Sequence, residues 1–424
     1  MAERRSGTWV PGADGFGFGI ENLPYGVIRP RGGRPRPAVR IGDHALDLAA
    51  VADAGLLSGV SGLPVDAFRQ PTLNAFAEVG RSVWSATRAR LIELLSATND
   101  ELRVRPGRAL LALDSVEVVM PVAIGDYVDG YTSLEHASNV GRMFRPDGDP
   151  LTPNWRHMPI AYHGRAGTVV VSDTPIRRPR GQRAPFAPGD RPTFGPERRL
   201  DIELELGFVT GSGPPLGHPI PASATADHIF GFVLANDWSA REIQRWEYQP
   251  LGPFLGKSFA TSISPWIVPL EALEPLRVEG RQQEPGPLDY LRVDEPRALD
   301  LALEIGLIPA GGDTETIISR TNARGLYWSA AQLLAHATVN GATVRAGDLF
   351  ASGTISGPDP GSYGSLLELS WGGRDPLRLD GGAERTFLED GDTVVMRGVG
   401  DRDGLHISFG EVRGTVLPAS EGDA

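Results

Sequence analysis

The stretch LDIELELGF, residues 200–208, decides the fold class. Apolar and acidic side chains alternate along it, which is the period of a β-strand. The pattern therefore predicts one apolar face and one acidic face. The apolar positions are Leu200, Ile202, Leu204 and Leu206, and the acidic positions are Asp201, Glu203 and Glu205.

Further short apolar runs separated by turn residues continue from about residue 115 and predict a sheet-rich C-terminal part. They are VEVVMPV (116–122), GTVVVS (167–172), IFGFVLAND (229–237), LLELSW (366–371) and TVVMRGV (393–399). Nearer the N-terminus, AVRIGDHALDLA (38–49) predicts a hairpin turning at Gly42-Asp43. Apolar spacing predicts a helix near 72–95 with Thr72 as its N-cap, and a second helix at 326–339.

Composition restricts the class of protein. A chain of 424 residues predicts two or three domains. Its net charge of −12 argues against nucleic-acid and anionic-membrane partners. The absence of cysteine excludes disulfides, thiolate metal sites and a cysteine nucleophile. No apolar run has the length of a signal peptide or membrane span, so we expect a soluble cytoplasmic protein.

The single lysine, Lys257, lies in a sequence that imitates a phosphate-binding loop. The other 40 of the 41 Lys and Arg residues are arginines. In GPFLGKS (252–258) three residues separate Gly252 from Gly256, whereas a P-loop has four and opens a helix. The segment that follows, SFATSISPW, is a poor helix former. The spacing therefore argues against nucleotide binding, which remains only a third-ranked function.

The acidic face of residues 200–208 has two interpretations. The first is an ordinary half-exposed strand whose acids are solvated. The second is a cation site, because neighbouring carboxylates repel and a bound cation removes that cost. An all-oxygen donor set suits Mg²⁺ or Ca²⁺ better than Zn²⁺.

Three other segments concentrate reactive side chains. GDYVDGYTSLEHASNVGRMFR (125–145) contains His136, a candidate base among eight histidines. The run IFGFVLAN leads into Asp237, with Arg241 and Gln244 soon after it, at a strand-to-loop boundary. The Gly- and Ser-rich segment 347–371 contains Glu368. These residues alone indicate an enzyme with a hard divalent cation and one histidine base.

Two Arg- and Pro-rich segments, 177–199 and 274–296, show no periodicity. They are either functional lids or subunit contacts, or else mobile surface loops.

The chain resembles the fumarylacetoacetase family over almost its whole length. The matching motifs are NLPYGV (22–27), QPTLNAF (70–76), GDYVDGY with EHASNVGRMFR (125–145), PNWRHMPIAYHGRAGTVVVSDTP (153–175), LDIELEL (200–206), NDWSAREIQRWEYQPLGPFLGKSF (236–259), and DLFASGTISGP with GSLLELSW (348–371). The resemblance implies a mixed, β-rich α+β fold. A small SH3-like β-barrel domain at 1–118 would precede a large mixed β-roll catalytic, metal-binding domain at 119–424, in a homodimer.

The resemblance also implies a set of site residues. Metal ligands, for Ca²⁺ or Mg²⁺, would be Asp129, Glu203, Glu205 and Asp237, with a second cation position at Asp237, Thr261 and the carbonyl of Lys257. Catalytic residues would be His136 as base, Glu368 as its orienting carboxylate, and Arg241, Gln244 and Lys257. Substrate contacts would be Tyr131, Arg145, Tyr162, Gln244, Tyr248 and Thr354. Gly130 stands where the family has an aromatic residue, and we expect a looser loop there.

The implied reaction is metal-dependent hydrolysis of a carbon–carbon bond in fumarylacetoacetate, the last step of tyrosine and phenylalanine catabolism. Its products would be fumarate and acetoacetate. Two alternatives remain open at this point. The chain could be an acylpyruvate-type hydrolase acting on another diketo acid, or a non-catalytic Ca²⁺-binding structural protein.

Overall fold

The computed structural model describes residues 7–13, 17–104, 109–187, 189–294 and 296–421. It confirms a mixed, sheet-rich fold with few helices. The helices are Leu48–Asp53, Asn74–Ala77, Arg81–Leu95, Leu134–Phe144, Arg241–Glu247, Leu270–Leu273, Ala330–Thr338 and Leu366–Leu369. Within these ranges, no helix combines the length and apolar character that a membrane crossing requires.

The N-terminal sheet is an antiparallel half-barrel of five strands. Its strands, in spatial order, are Leu110–Ala112, His44–Asp47, Arg36–Ile41, Tyr25–Pro30 and Val116–Val119. The predicted hairpin is confirmed, because Ile41 pairs with His44 across the Gly42-Asp43 turn.

The central sheet has eight strands. Its strands, in order, are Ala161–His163, Tyr127–Gly130, Leu349–Ala351, Leu204–Thr210, Ile229–Asp237, Thr261–Ile263 and Val169–Val171, with Val268–Pro269 also paired to Ile229–Asp237. The two long central strands are antiparallel, with Leu204 opposite Asn236. Every residue of both strands is buried.

The C-terminal sheet packs against one face of the central sheet. Its strands, in order, are Thr316–Asn322, Ala302–Ile308, Thr393–Arg402, Leu405–Leu417 and Ile176–Arg177. Two-stranded ribbons complete the described strands: Arg180–Arg183 with Thr193–Pro196, Leu200–Asp201 with Ser239–Ala240, Arg277–Val278 with Ala298–Leu299, and Leu377–Arg378 with Glu384–Arg385.

The central sheet separates two apolar clusters. On strand Ile229–Asp237, Phe232 and Leu234 belong to the cluster shared with the C-terminal sheet. Val233 and Ala235 point the other way, into the cluster that contains Tyr25, Phe76 and Trp84 of the N-terminal part. Because both faces of the two long central strands are covered by apolar residues, polar groups on these strands are buried.

Four predicted elements differ from the structure. The strand predicted at 200–208 is divided into Leu200–Asp201 and Leu204–Thr210. The helix near 72–95 is interrupted, since Gly80 adopts a φ of 91° between Asn74–Ala77 and Arg81–Leu95, and Thr72 is not its N-cap. The second predicted helix begins only at Ala330, after Ser329 forms a capping box with Gln332. LLELSW is not a strand, because Leu366–Leu369 forms a helix capped by Ser365.

The two Arg- and Pro-rich segments are partly ordered by pairing. In the first, Arg180–Arg183 and Thr193–Pro196 form an antiparallel ribbon. In the second, Arg277–Val278 pairs with Ala298–Leu299. Pro188 and Glu295 lie outside the described residues.

Candidate active site

Four carboxylates carried by, or next to, three strands of the central sheet meet at one end of that sheet. Asp129 lies on strand Tyr127–Gly130, Glu205 on Leu204–Thr210 and Asp237 at the end of Ile229–Asp237, while Glu203 immediately precedes the second of these strands. One oxygen of each lies within 4.8 Å of the others, and all four residues are buried. The interpretation of this segment as a half-exposed strand with solvated acids is therefore wrong.

Strand alternation places the cluster on the face towards the N-terminal part. Val209 and Ala235 share that face with Glu205 and Asp237, and both belong to the apolar cluster that contains Tyr127. The carboxylates thus lie at the end of a surface whose neighbouring strand positions are apolar.

The ammonium group of Lys257 enters the cluster directly. Its Nζ donates to Glu203 Oε2 and to Asp237 Oδ2, both at 2.6 Å, while Thr261 Oγ1 donates to Asp237 Oδ1 at 2.6 Å. The loop before it is held by Glu247, whose Oε1 accepts from the backbone N–H groups of Phe254 and Gly256. The lysine therefore points inward, and strand Thr261–Ile263, not a helix, follows.

Arg241 makes the second ion pair of the cluster. Its Nη2 lies 2.8 Å from Glu203 Oε1, its Nε donates to Asp201 Oδ2 at 2.7 Å, and its Nη1 donates to Gln244 Oε1 at 3.1 Å. Nη2 has no aligned hydrogen-bond acceptor among the described residues. The guanidinium is therefore held at the cluster by two carboxylates, Asp201 and Glu203.

Electrostatics divide the carboxylates into two kinds. Burial opposes ionisation of Glu203, but Lys257 and Arg241 outweigh it and hold its pKa below the ordinary value. Burial raises the pKa of Asp129, and Asp237 raises it further. Burial also raises the pKa of Glu205, to which the charges of Asp129 and Asp237 add.

The Lys257 ammonium stays charged for the same reason as Glu203. Burial acts to lower its pKa, but Asp237, Glu203 and Asp129 together raise the pKa above the ordinary lysine value. Lys257 is therefore a fixed positive charge and hydrogen-bond donor at neutral pH.

The cluster fits a divalent cation. Asp129 Oδ1 and Glu205 Oε1 are buried and, among the described residues, have no hydrogen-bond partner. Four carboxylates face only two cationic side chains, so full ionisation leaves two negative charges uncompensated. An all-oxygen donor set of this kind suits Mg²⁺ or Ca²⁺.

Gly353 fixes the other oxygen of Glu205. Its N–H donates to Glu205 Oε2 at 3.0 Å. The residue has a φ of 76°, and a Cβ there would lie 2.3 Å from the carbonyl oxygen of Gly130. Only glycine brings this backbone so close to the cluster.

A histidine–carboxylate pair lies beside the cluster. His136 is in the first turn of helix Leu134–Phe144, where its N–H donates to the capping Ser133. Its Nδ1 is 2.7 Å from Glu368 Oε2, and both side chains are buried. Burial opposes ionisation of Glu368, but His136 and the hydrogen bonds from His136, Asn139 and Ser365 lower its pKa below the ordinary value. An ionised Glu368 can only accept hydrogen bonds. Nδ1 of His136 therefore carries the proton, and Nε2 of the same ring is left as a base.

Three predicted substrate contacts lie near these groups. The ring of Tyr131 meets that of His136 edge-on, with centroids 5.4 Å apart. The Tyr162 hydroxyl points at Asp237 Oδ2 over 3.4 Å. Thr354 is buried, and its Oγ1 has no hydrogen-bond partner within the described ranges. A cavity lined by Tyr162, Lys257 and Asp237 opens onto the cluster.

Two other predicted contacts lie at the surface. Arg145 follows the end of helix Leu134–Phe144 and donates to the Pro150 carbonyl. Burial raises the pKa of Tyr131, and the positive charge of Arg145 partly opposes that rise. Tyr248 is 45% exposed and its hydroxyl accepts from Gln249. Both residues are at the rim, not among the buried groups.

The expectation of a looser loop at Gly130 is wrong. Gly130 is buried in a strand, and a Cβ there would lie 3.0 Å from the Ala351 carbonyl and 3.3 Å from Leu333. No space is left by the missing side chain.

Sequence reasoning missed the donors that hold Glu368. Asn139 donates to Oε1 at 2.9 Å, while Ser356 and Ser365 donate to Oε2 at 2.9 and 2.8 Å. Asn139 lies three residues after His136 on one helix, a spacing that could have indicated it. The serines lie in the Gly- and Ser-rich segment 347–371, but nothing local distinguishes them from turn residues.

The comparisons with known proteins cover both parts of the chain. The family described as fumarylacetoacetate (FAA) hydrolase, C-terminal, matches residues 126–417, and the one described as fumarylacetoacetase, N-terminal, matches residues 21–121. The chain belongs to the fumarylacetoacetase family. The fumarylacetoacetase of Arabidopsis thaliana is 50% identical over 406 residues, covering 95% of this chain and 96% of the relative. That of Homo sapiens is 48% identical over 417 residues, covering 97% and 99%.

A solved structure shares the fold of this fumarylacetoacetase-family chain at low identity. The fumarylacetoacetate hydrolase of Exiguobacterium antarcticum superposes with a TM-score of 0.51 at 17% identity, covering 93% of this chain and 99% of that one. This likeness concerns the fold alone.

Proposed function

We propose that this chain hydrolyses the carbon–carbon bond of fumarylacetoacetate to give fumarate and acetoacetate, a step of tyrosine and phenylalanine catabolism. Fumarylacetoacetases about half identical over nearly the whole chain support this substrate. The observation that carries the proposal is the placement of the His136–Glu368 pair beside four buried carboxylates. Such a pair supplies a base, and such a cluster supplies a cation site.

His136 acts as the general base. Glu368 holds its Nδ1–H, which leaves Nε2 to take a proton from water as the oxygen attacks the substrate carbonyl. The donors from Asn139, Ser356 and Ser365 fix the carboxylate, so the imidazole cannot rotate away. A base of this type contributes roughly 10²- to 10⁴-fold to a rate.

Asp129, Glu203, Glu205 and Asp237 would hold a divalent cation, Ca²⁺ or Mg²⁺. When bound, such a cation polarises carbonyl oxygens and neutralises developing negative charge. Asp237 and Thr261, with the carbonyl of Lys257, are proposed as a second cation position.

Lys257, Arg241 and Gln244 stabilise the negative charge that develops when the carbon–carbon bond breaks. Lys257 uses two of its three N–H donors on Glu203 and Asp237, which leaves one for the substrate. Arg241 is held beside Glu203 and Asp201, with its charge at the cluster. Donors fixed in a buried site need no reorganisation during the reaction.

Tyr131, Tyr162, Thr354, Tyr248 and Arg145 are proposed substrate contacts. Among the described residues the Thr354 hydroxyl has no partner, and the half-buried Tyr131 and Tyr162 border the reacting groups. Arg145 at the rim suits a substrate carboxylate, since its planar guanidinium pairs with one through two parallel bonds.

Product analysis with two substrates in parallel tests the substrate. The purified protein is supplied with fumarylacetoacetate or with an acylpyruvate, and the products are identified by NMR. We expect fumarate and acetoacetate, with a higher kcat/KM for fumarylacetoacetate. Faster cleavage of the acylpyruvate would favour the related diketo-acid hydrolase. Cation-dependent stability without cleavage of either would favour a structural Ca²⁺-binding protein.

A homodimer is proposed from an exposed apolar patch beside the site. We call this surface the apolar patch: Phe186, Phe194, Trp246, Leu251 and Phe254, each at least 40% exposed. The patch residues come from two parts of the chain, 182–194 and 246–254. These parts meet where Trp246 Nε1 donates to Gln182. Light scattering should give twice the chain mass, and Leu251→Asp should yield monomers. Leu216→Asp, at an exposed leucine outside the patch, is the control. A monomeric wild type would contradict the proposal.

Cell fractionation tests the proposed cytoplasmic location.

A further inference from the structure

Asp201 is a buried carboxylate to which no role has yet been given. It lies on the acidic face of the segment 200–208, but its side chain does not join the cation cluster. It is fully buried, and its two oxygens accept four hydrogen bonds. A buried carboxylate that accepts four hydrogen bonds is fixed in position, and it also fixes the groups that donate to it.

The four donors come from two parts of the site. Oδ1 accepts from the N–H groups of Ile202 at 2.7 Å and Leu366 at 2.8 Å. Oδ2 accepts from the N–H of Leu367 at 3.0 Å and from Arg241 Nε at 2.7 Å. One carboxylate therefore joins the Arg241 guanidinium to the beginning of helix Leu366–Leu369.

That short helix carries Glu368. Because it spans only four residues, its own backbone hydrogen bonds cannot hold it firmly. Its first-turn N–H groups need outside acceptors, and Asp201 supplies one for Leu366 and one for Leu367. The orientation of Glu368, and so of His136, depends on this attachment.

We propose that Asp201 is a positioning residue that couples Arg241 to the His136–Glu368 pair. It sets the direction of the guanidinium through Nε and the direction of the base through the helix Leu366–Leu369. This inference rests on the proposed function, because it explains how the two halves of that active site stay in register.

Asp201→Asn is the first test. The amide places an NH2 group either where Arg241 and Leu367 donate or where Ile202 and Leu366 donate, so in both orientations one N–H of helix Leu366–Leu369 loses its acceptor. We expect kcat to fall roughly 10- to 100-fold, the size of a lost charge-assisted hydrogen bond, with less change in KM and with unchanged metal content. Normal kcat/KM in a folded Asp201→Asn protein would overturn the proposal.

Asp392→Asn is the matched control. Asp392 is likewise fully buried, accepts from Arg385 Nε at 2.8 Å, and accepts from the N–H groups of Ala310 and Glu389. It contacts none of the proposed catalytic residues. We expect this variant to lower the melting temperature while leaving kcat and KM at wild-type values.

A double-mutant cycle separates positioning from general destabilisation. In an Arg241→Gln background, Asp201→Asn should cost less than about a third of the factor that it costs alone, because the shared contact is already gone. If the double variant loses the product of the two single-variant factors in kcat, the proposed coupling is overturned. A wild-type protein without turnover would instead contradict the proposed function, and the following measurement does not depend on turnover.

Hydrogen exchange tests the coupling without Asp201 being changed. In Arg241→Gln, Asp201 loses one of its anchors, so amides of 366–369 should exchange several-fold faster than in wild type. Helix Ala330–Thr338 should be unaffected. Unchanged exchange across 366–369 would overturn the proposal, whether or not Asp201→Asn folds and whether or not fumarylacetoacetate is the substrate.

Discussion

Glu368 and Glu205 are both buried glutamates of the proposed active site, but their surroundings differ. Glu368 accepts from His136, Asn139, Ser356 and Ser365, and its pKa is lowered although burial acts against ionisation. Among the described residues, Glu205 accepts from Gly353 alone, and burial together with neighbouring carboxylates raises its pKa. Its Oε1 has no partner in the part of the chain that the structure describes.

The difference shows which half of the site is complete by itself. The His136–Glu368 half has all its charges and donors supplied by the protein. The Glu205 half gains its missing charge only from a cation, because Lys257 and Arg241 balance only part of the four carboxylates. Changes to the first half should therefore affect chemistry and leave metal bound, while changes to the second should affect metal first.

The largest effect is expected for His136→Ala. Removing the base should lower kcat by roughly 10²- to 10⁴-fold while elemental analysis still finds the cation. The control is His228→Ala, at a half-buried histidine that contacts the Ser212 carbonyl, away from the proposed site. Full activity in His136→Ala would contradict the role of the base, and loss of metal would contradict the independence of the two halves.

Asp129→Ala should remove the cation and, with it, activity. The substitution deletes a buried carboxylate, a proposed metal ligand, whose Oδ1 has no hydrogen-bond partner among the described residues. Metal content by elemental analysis is the measurement. Asp126→Ala, three residues earlier and paired with Arg345 at the surface, should keep the metal. Equal metal content in both variants would show that Asp129 is not a ligand.

Lys257→Arg should cost much of the activity, about tenfold or more, despite the conserved charge. The compact ammonium reaches Glu203 and Asp237 at 2.6 Å each in a buried space, whereas a broad guanidinium does not fit that geometry. Steady-state kinetics measure the loss. Arg69→Lys at an exposed ion pair is the control for an exchange of the two residue types. Near-normal turnover in Lys257→Arg would mean that the lysine has no special role.

The smallest effect concerns pH and Glu368→Gln. The folded pKa of Glu368 is lowered, so its contribution to stability is complete above the unfolded glutamate pKa of about 4.3 and is lost as the pH falls through the folded pKa. The gap in melting temperature between wild type and Glu368→Gln should therefore be widest near neutral pH and narrow below about pH 4. A gap that is constant with pH would contradict the lowered pKa.

Sequence patterns predicted the parts of the site that lie within one segment. Alternation along 200–208 placed Glu203 and Glu205 together, and the long apolar run before Asp237 predicted its strand. Asp129 and His136, in contrast, reach the site only through tertiary packing. Spacing could not indicate that approach, and only the family resemblance connected them.

The wrong predictions of secondary structure also result from contacts between residues that are distant in the sequence. Leu366–Leu369 looks like an apolar strand, but Asp201, more than 160 residues away, accepts its first N–H groups and favours a helix. Asp201 alternates in sequence with Glu203 and Glu205, the proposed metal ligands. The strand is broken after Asp201, however, and its side chain pairs with Arg241 instead. Pairing of the segment 177–199 likewise depends on two strands that show no periodicity of their own.

The most direct test follows the absorbance of fumarylacetoacetate with the purified protein as isolated, after treatment with a chelator, and after Mg²⁺ or Ca²⁺ is restored. We expect cleavage by the isolated protein, loss of cleavage in the metal-free protein, and recovery with the cation. In His136→Ala, the cation should still bind but should restore nothing. Cleavage at an unchanged rate in the metal-free protein, or no cleavage under any of these conditions, would contradict the central claim.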